Sequence, residues 1–256
     1  MVDIYFLGGI MEKQKVIHEY TEQKVELFWW IYYLIVITVG FIVGLFLIVI
    51  PIFLFIHFGA PWLFVLFAFI PLGVWIDIKL VKYTKKMLWE NNHLSSYTLL
   101  ENIIQTKEWD KVYNNIPSER VVPLEKIIKI IASSYIVRQT IRPGPHFRKT
   151  TETAPILYIV YLEKGEQKIL IIPFPSHTDS GWGNWLGFLN NHFTLYFTAR
   201  ILYRKDMPIL DDLKRLEYLL QNPELVPFLY TGDWLKDEPL LFSSWKGNLE
   251  HQQKKN

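Results

Sequence analysis

Cysteine is absent from the 256 residues. That excludes a disulfide framework, a thiolate nucleophile and a cysteine-based zinc site, and it leaves the redox compartment unreadable. Charge of one sign is also lacking: 27 Lys and Arg face 25 Asp and Glu. A formal charge of +2 gives no global attraction to nucleic acid, and no nucleic-acid partner is expected. Half the residues are hydrophobic and 16% are aromatic, which excludes a disordered chain. The most informative absence is local. From Leu27 to Ile76 there is no Asp, Glu, Lys or Arg, and His57 is the only titratable group apart from tyrosines.

As a single helix that run would reach roughly 75 Å, against about 30 Å for the hydrocarbon core of a bilayer. It must fold back, and His57-Phe58-Gly59-Ala60-Pro61 marks the break, with Pro61 suited to the first turn of a new helix. The reading is two transmembrane spans, about Phe28–Ile56 and Pro61–Val81, with kinks expected at Pro51 and Pro71. A buried hairpin in a soluble core would carry a polar stripe, and neither span has one. Lys13, Lys15 and Lys24 precede the first span and Lys79, Lys82, Lys85 and Lys86 follow the second, while the turn has neither Lys nor Arg. The positive-inside rule then puts both termini in the cytoplasm of a multi-pass cell-membrane protein. Trp29, Trp30, Tyr32 and Tyr33 at one end and Trp62 at the other fit interfacial aromatic belts. Gly40 and Gly44 are spaced G-x-x-x-G, which serves close packing within the hairpin or dimerisation. Asp77 is read as lying at the cytoplasmic end in an ion pair with Lys79 and Lys82. Either Met1 or Met11 fits the natural start.

Three segments follow: an N-terminal cytoplasmic stretch (1–26), the hairpin (27–82) and a cytoplasmic domain (83–256). In the domain, Tyr97–Leu100 and Ile103–Thr106 read as a strand pair, although Thr98-x-x-Glu101 also matches a helix capping box. Ile127–Val137, Pro155–Leu162 and Gln167–Pro173 read as strands, the last two joined at Glu163-Lys164-Gly165-Glu166. Leu157, Ile159 and Tyr161 alternate with Tyr158, Val160 and Leu162, so both faces are apolar and a barrel or covered sheet is expected. Helical spacing from Trp185 through about Tyr203, and again from Pro208 to Gln221, predicts two helices. The second should bury Leu210, Leu213, Leu216, Leu219 and Leu220. Residues 223–256 are too rich in turn formers for assignment.

Tyr97–Thr106, the stretch Pro123-Leu124-Glu125-Lys126-Ile127 and the Tyr158–Ile172 hairpin together resemble the bacterial pleckstrin-homology-like family of small membrane proteins. In that family an I-P-L-x-x-I pattern leads into a strand. The resemblance covers residues 28–200. It implies an α+β membrane protein in which the transmembrane hairpin is followed by a β-rich, pleckstrin-homology-like split barrel capped by C-terminal helices. It implies a membrane address rather than a defined activity. The Arg138–Ala154 insert and the C-terminal extension depart from the family pattern.

The strongest local feature is basic. Lys126, Lys129, Arg138, Arg142, Arg148 and Lys149, with His146 among them, meet no acidic residue from Lys126 until Glu152. On a membrane-tethered domain such a loop fits anionic headgroups, each Lys or Arg adding about 1 kcal/mol, with Phe147 inserting at the interface. An ordinary solvated hairpin loop shaped by Pro143, Gly144 and Pro145 fits the same residues. Gly181-Trp182-Gly183-Asn184-Trp185-Leu186-Gly187 lacks the strand-to-helix context and the following acid of a dinucleotide site, so it is read as a helix start capped by Asp179 or Ser180. His177, Asp179 and His192 are too few for a catalytic metal. No nucleophile, metal or phosphate-binding motif is present, and no cofactor is expected. The expected function is non-catalytic: display of a binding domain at the membrane for a protein partner or anionic lipid headgroups. The alternative is an accessory or assembly subunit of a larger membrane complex, contacting it through the hairpin.

Overall fold

A computed structural model of the chain describes residues 5–6, 9–10, 15–22, 24–25, 27–109, 116–139, 150–175, 181–204 and 210–253. They form an α+β protein of two compact units: one holds the helical hairpin, the other the sheets and the C-terminal helices.

In the hairpin unit, α1 spans Leu27–Phe58 and continues through Pro51. Gly59, at φ +62°, makes the reversal that an L side chain resists. The return arm starts as a 3₁₀ helix, Pro61–Ala68, and becomes α2 over Phe69–Asn92. The change falls two residues before Pro71, which has no N–H to offer the carbonyl one α-turn back; inside the first turn of α2 that loss costs little. Both arms are long and apolar enough to cross a membrane. The return helix runs about ten residues beyond the expected end at 82, carrying Lys82, Lys85, Lys86 and Glu90 with it.

At the foot of the hairpin, backbone and side-chain hydrogen bonds tie its two ends together. Val25 N–H donates to Asn91 Oδ1 at 2.9 Å, Glu22 N–H to the Ser95 carbonyl at 2.9 Å and Ser95 N–H to Glu22 Oε2 at 3.2 Å. His93 stacks on Trp89, its ring centroid 4.4 Å away, and meets Trp109 edge-on at 4.5 Å.

In the sheet unit, β1 (Tyr5–Phe6) and β2 (Gly9–Ile10) form a small ribbon. A four-stranded antiparallel sheet runs β3 (Val16–Thr21), β4 (Ser96–Leu100), β5 (Ile103–Glu108), β6 (Ser118–Pro123). A five-stranded sheet has the order β11 (Val226–Phe228), β10 (Leu195–Phe197), β7 (Ile127–Gln139), β8 (Thr150–Glu163), β9 (Glu166–Pro173). Lys164 and Gly165 both take positive φ between β8 and β9, as a two-residue hairpin turn requires. The helices are α3 (Trp182–Asn190), α4 (Asp212–Gln221) and α5 (Trp234–Gln253).

The alternation in β8 has its expected consequence: the five-stranded sheet is covered on both faces. Leu157, Ile159 and Tyr161 pack with Leu99, Ile104, Trp182, Trp185 and Trp234 in one core. Tyr158 and Val160 pack with Ile131, Leu202, Leu219 and Leu225 in another.

Two expectations are corrected, and two segments left without assigned elements gain them. The helix predicted through Tyr203 stops at Asn190, because Leu195 and Phe197 are needed as alternating inward residues of β10, which pairs parallel with β7. Leu213 is 77% exposed and Arg215, at 1%, occupies the buried face instead. The N-terminal segment, to which the sequence assigns no element, supplies β3, whose Tyr20 stacks on Tyr97 and Phe174. Beyond Pro223, where the sequence is ambiguous, lie β11 and the long helix α5.

Candidate functional site

Two places in the described residues concentrate unusual chemistry, and each lies within one unit.

The first is the helix crossing in the hairpin. Gly44 of α1 and Gly73 of α2 meet backbone to backbone: a Cβ on Gly73 would stand 2.6 Å from the Gly44 carbonyl oxygen. Gly40 receives the side chain of Leu80, one turn along. The G-x-x-x-G pair therefore packs inside the hairpin. Asp77 is one turn after Gly73 on the same helix face, and its carboxyl lies against Gly44, where a Cβ would collide with Oδ1. This overturns the expected ion pair. Among the described residues Asp77 Oδ1 is buried with no hydrogen-bond partner, and no ion pair joins Asp77 to Lys79 or Lys82. Residues two apart on a helix point about 200° apart, so Lys79 cannot face the same way. Its ammonium instead lies 5.7 Å from the centroid of the Trp75 ring, reaching back along the helix.

Nearby hydroxyls are already engaged. Thr38 donates to the Leu34 carbonyl at 2.7 Å and Thr84 to the Leu80 carbonyl at 2.8 Å. From Gly44 to Tyr33 is eleven residues of α1, roughly 16 Å, and from Asp77 to Tyr83 of the same aromatic group is six residues of α2, roughly 9 Å. The carboxyl therefore sits on the bilayer-core side of the aromatic group.

The second place is a polar strut on the α4 side of the large sheet. The Tyr218 hydroxyl donates to Glu224 Oε2 at 3.1 Å and lies 3.1 Å from Thr198 Oγ1; Arg200 pairs with Glu224 at 3.6 Å. Burial pushes the Tyr218 hydroxyl up to about 12. Lys129 Nζ donates to the Leu220 carbonyl at 3.3 Å and lies over the Tyr196 ring. Arg215 donates to the carbonyls of Leu210 (2.6 Å) and Leu202 (3.4 Å) and to Asp212 Oδ1 (2.5 Å). Together these contacts fasten α4 to the sheet.

Of the residues singled out from sequence, Arg142, His146, Phe147, Arg148 and Lys149 lie outside the described residues, as do His177, Asp179 and Ser180. Arg138 is described through its backbone, in register with Thr151 at the far end of β7. His192 Nδ1 lies 2.9 Å from the Phe188 carbonyl, a local closure of α3. Gly181 serves as the N-cap of α3 at φ +72° without a side-chain cap bond, and a Cβ there would strike the His18 imidazole. Among the described residues no group of three or more His, Asp or Glu could hold a metal ion.

Sequence reading missed the inward position of Asp77. The signal was present: Gly73, Asp77, Leu80 and Thr84 recur at helical spacing, placing the acid on the same stripe as the glycine that makes the crossing. Chain and fold thus define an apolar two-helix hairpin joined to an α+β unit of two sheets. Compared with known proteins, the chain matches no family model, no curated protein and no solved structure.

Proposed function

We propose that this is a membrane-anchored, non-catalytic protein whose hairpin crosses the bilayer and whose sheet unit works as a binding domain on the cytoplasmic side. The observation that carries the reading is the surface of α1: Leu27, Leu34, Phe46, Phe53 and Ile56 are all more than half exposed, along a helix without a charge. In water that contiguous apolar surface would be an aggregation site; in lipid it is ordinary. The clusters of Lys after α2 and before α1 support cytoplasmic termini. The pleckstrin-homology-like resemblance is kept as a reading of the domain, supported by the two-sheet core and the C-terminal helix; the parallel β10–β7 pair departs from a simple meander.

The ligand class we favour is anionic headgroups or a protein partner, met through the basic run Arg138–Lys149. The full chain, reconstituted in phosphatidylcholine vesicles with or without phosphatidylglycerol, tests the lipid arm through a polarity-sensitive label on a single cysteine at Thr140. A blue shift with the anionic lipid, abolished by reversing the charges of Arg142, Arg148 and Lys149, supports headgroup contact. The same emission in both vesicles contradicts it. The second reading, a subunit that associates through its hairpin, is favoured by one observation: the unpartnered Asp77 carboxyl at the helix crossing.

A further inference from the structure

We infer that the hairpin associates with further copies of itself, the Asp77 carboxyl of one copy meeting the Lys79 ammonium of the next. The inference rests on the membrane reading of the hairpin given above.

Both side chains lie on the bilayer-core side of Tyr83, and among the described residues neither has an opposite charge as partner. Among the described residues Asp77 has no hydrogen bond at Oδ1 and no ion pair, and Lys79 meets the Trp75 ring. The cause is geometric. Two residues apart, they emerge on opposite sides of α2, one against α1 and the other exposed on the outer surface. No rotamer can join them, and α1 has no cation along its whole length other than His57 at the turn end. A charged group in hydrocarbon is retained when it is paired or functional.

A second copy supplies both missing partners at once. Copies inserted by the same route share one orientation, so rotation about the membrane normal keeps equivalent residues at equal depth. Asp77 and Lys79 differ in height by only about 3 Å, well within the reach of a lysine. Asp77 is half-buried: Oδ1 is closed off against Gly44, while Oδ2 is not among the buried atoms and is the oxygen a partner's lysine meets. Donor and acceptor are different residues on opposite sides of the helix, so the contact is head-to-tail rather than two-fold symmetric. The glycine crossing holds Asp77 at fixed height, and the backbone contact of Gly44 with Gly73 makes it a rigid presenting surface.

Near-isosteric variants of the full chain, in lipid nanodiscs or vesicles, test this by single-molecule photobleaching or by energy transfer between labelled copies. Wild type should associate. Asp77→Asn alone and Lys79→Gln alone should each weaken association at least tenfold. Mixing the two variants should restore pairs, because Asp77 of the Lys79→Gln chain still meets Lys79 of the Asp77→Asn chain. Resistance to alkaline carbonate extraction reports that each variant remains inserted. Inserted but monomeric wild type, variants that associate like wild type, or a mixture no better than its components overturns the inference while leaving the membrane reading intact. The first of those outcomes would leave a foreign membrane segment as the partner of Asp77. A chain released by carbonate overturns both.

Discussion

Asp77 rests on Gly44, its Oδ1 so close that one methyl group on that glycine would overlap it. The relationship places an acid at the point where two apolar helices approach most closely. Only a residue without a side chain leaves the room, and the neighbouring Gly73 meets the Gly44 carbonyl in the same way.

The glycines should therefore differ in tolerance. In Gly73→Ala the added methyl faces backbone, which cannot step aside, and the hairpin should lose about 1–3 kcal/mol of stability. In Gly40→Ala it faces the tip of Leu80, which can rotate, so the loss should be smaller. Thermal unfolding of the full chain in detergent checks the order; equal midpoints for the two would contradict the crossing.

Arg215 should be needed as a donor rather than as a charge. It is almost wholly buried, and its partner Asp212 is exposed to water. Arg215→Met strands the carbonyls of Leu202 and Leu210, at a cost on the order of 1–3 kcal/mol. Leu213→Lys, on the exposed face of the same helix, should be close to neutral. A denaturation series on the full chain distinguishes them, and a harmless Arg215→Met would refute the strut.

How far these features were legible follows from their range. The hairpin was readable because its signal is a missing charge over a long local run. The β8–β9 pair was readable because Lys164-Gly165 fixes a two-residue turn between apolar runs. The stop of α3 was not, since Trp185, Leu189 and Tyr196 keep helical spacing across what proves to be a helix, a turn and a strand. What decides the matter is the pairing of Leu195 with Ile130, a contact remote in sequence. Arg215 was missed for a related reason: a guanidinium shares a face with Leu219 only because carbonyls elsewhere receive it.

Acid should loosen the β3–α3 contact. Burial lowers the His18 pKa below 6.5, with Glu19 opposing weakly, and Nδ1 has no partner. The folded state therefore resists protonation more than the unfolded chain does, so this contribution is intact above 6.5 and is lost as pH falls below it. The unfolding midpoint should drop between pH 7.5 and 5.5, and His18→Gln should flatten part of that drop. A slope unchanged by the substitution would contradict the burial of this imidazole.

Alkali acts on Tyr218 in the opposite sense. Its pKa is pushed up to about 12, mainly by burial, so the unfolded chain ionises first and stability falls as pH rises above 10. Tyr218→Phe should lessen that alkaline loss while costing about 1 kcal/mol at neutral pH through the lost bond to Glu224. Urea titrations at pH 7 and pH 11 would show both effects; a variant with the alkaline loss undiminished would contradict the assignment.

The most direct test of the membrane account uses the absence of cysteine. Single cysteines at Ala60, in the turn, and at Glu125, exposed in the sheet unit, give two reporters in the full chain expressed in cells. The account predicts that a membrane-impermeant maleimide labels Ala60→Cys in intact cells and Glu125→Cys only after permeabilisation. Labelling of both positions from one side, or recovery of the chain in the soluble fraction, would contradict a hairpin that spans the bilayer.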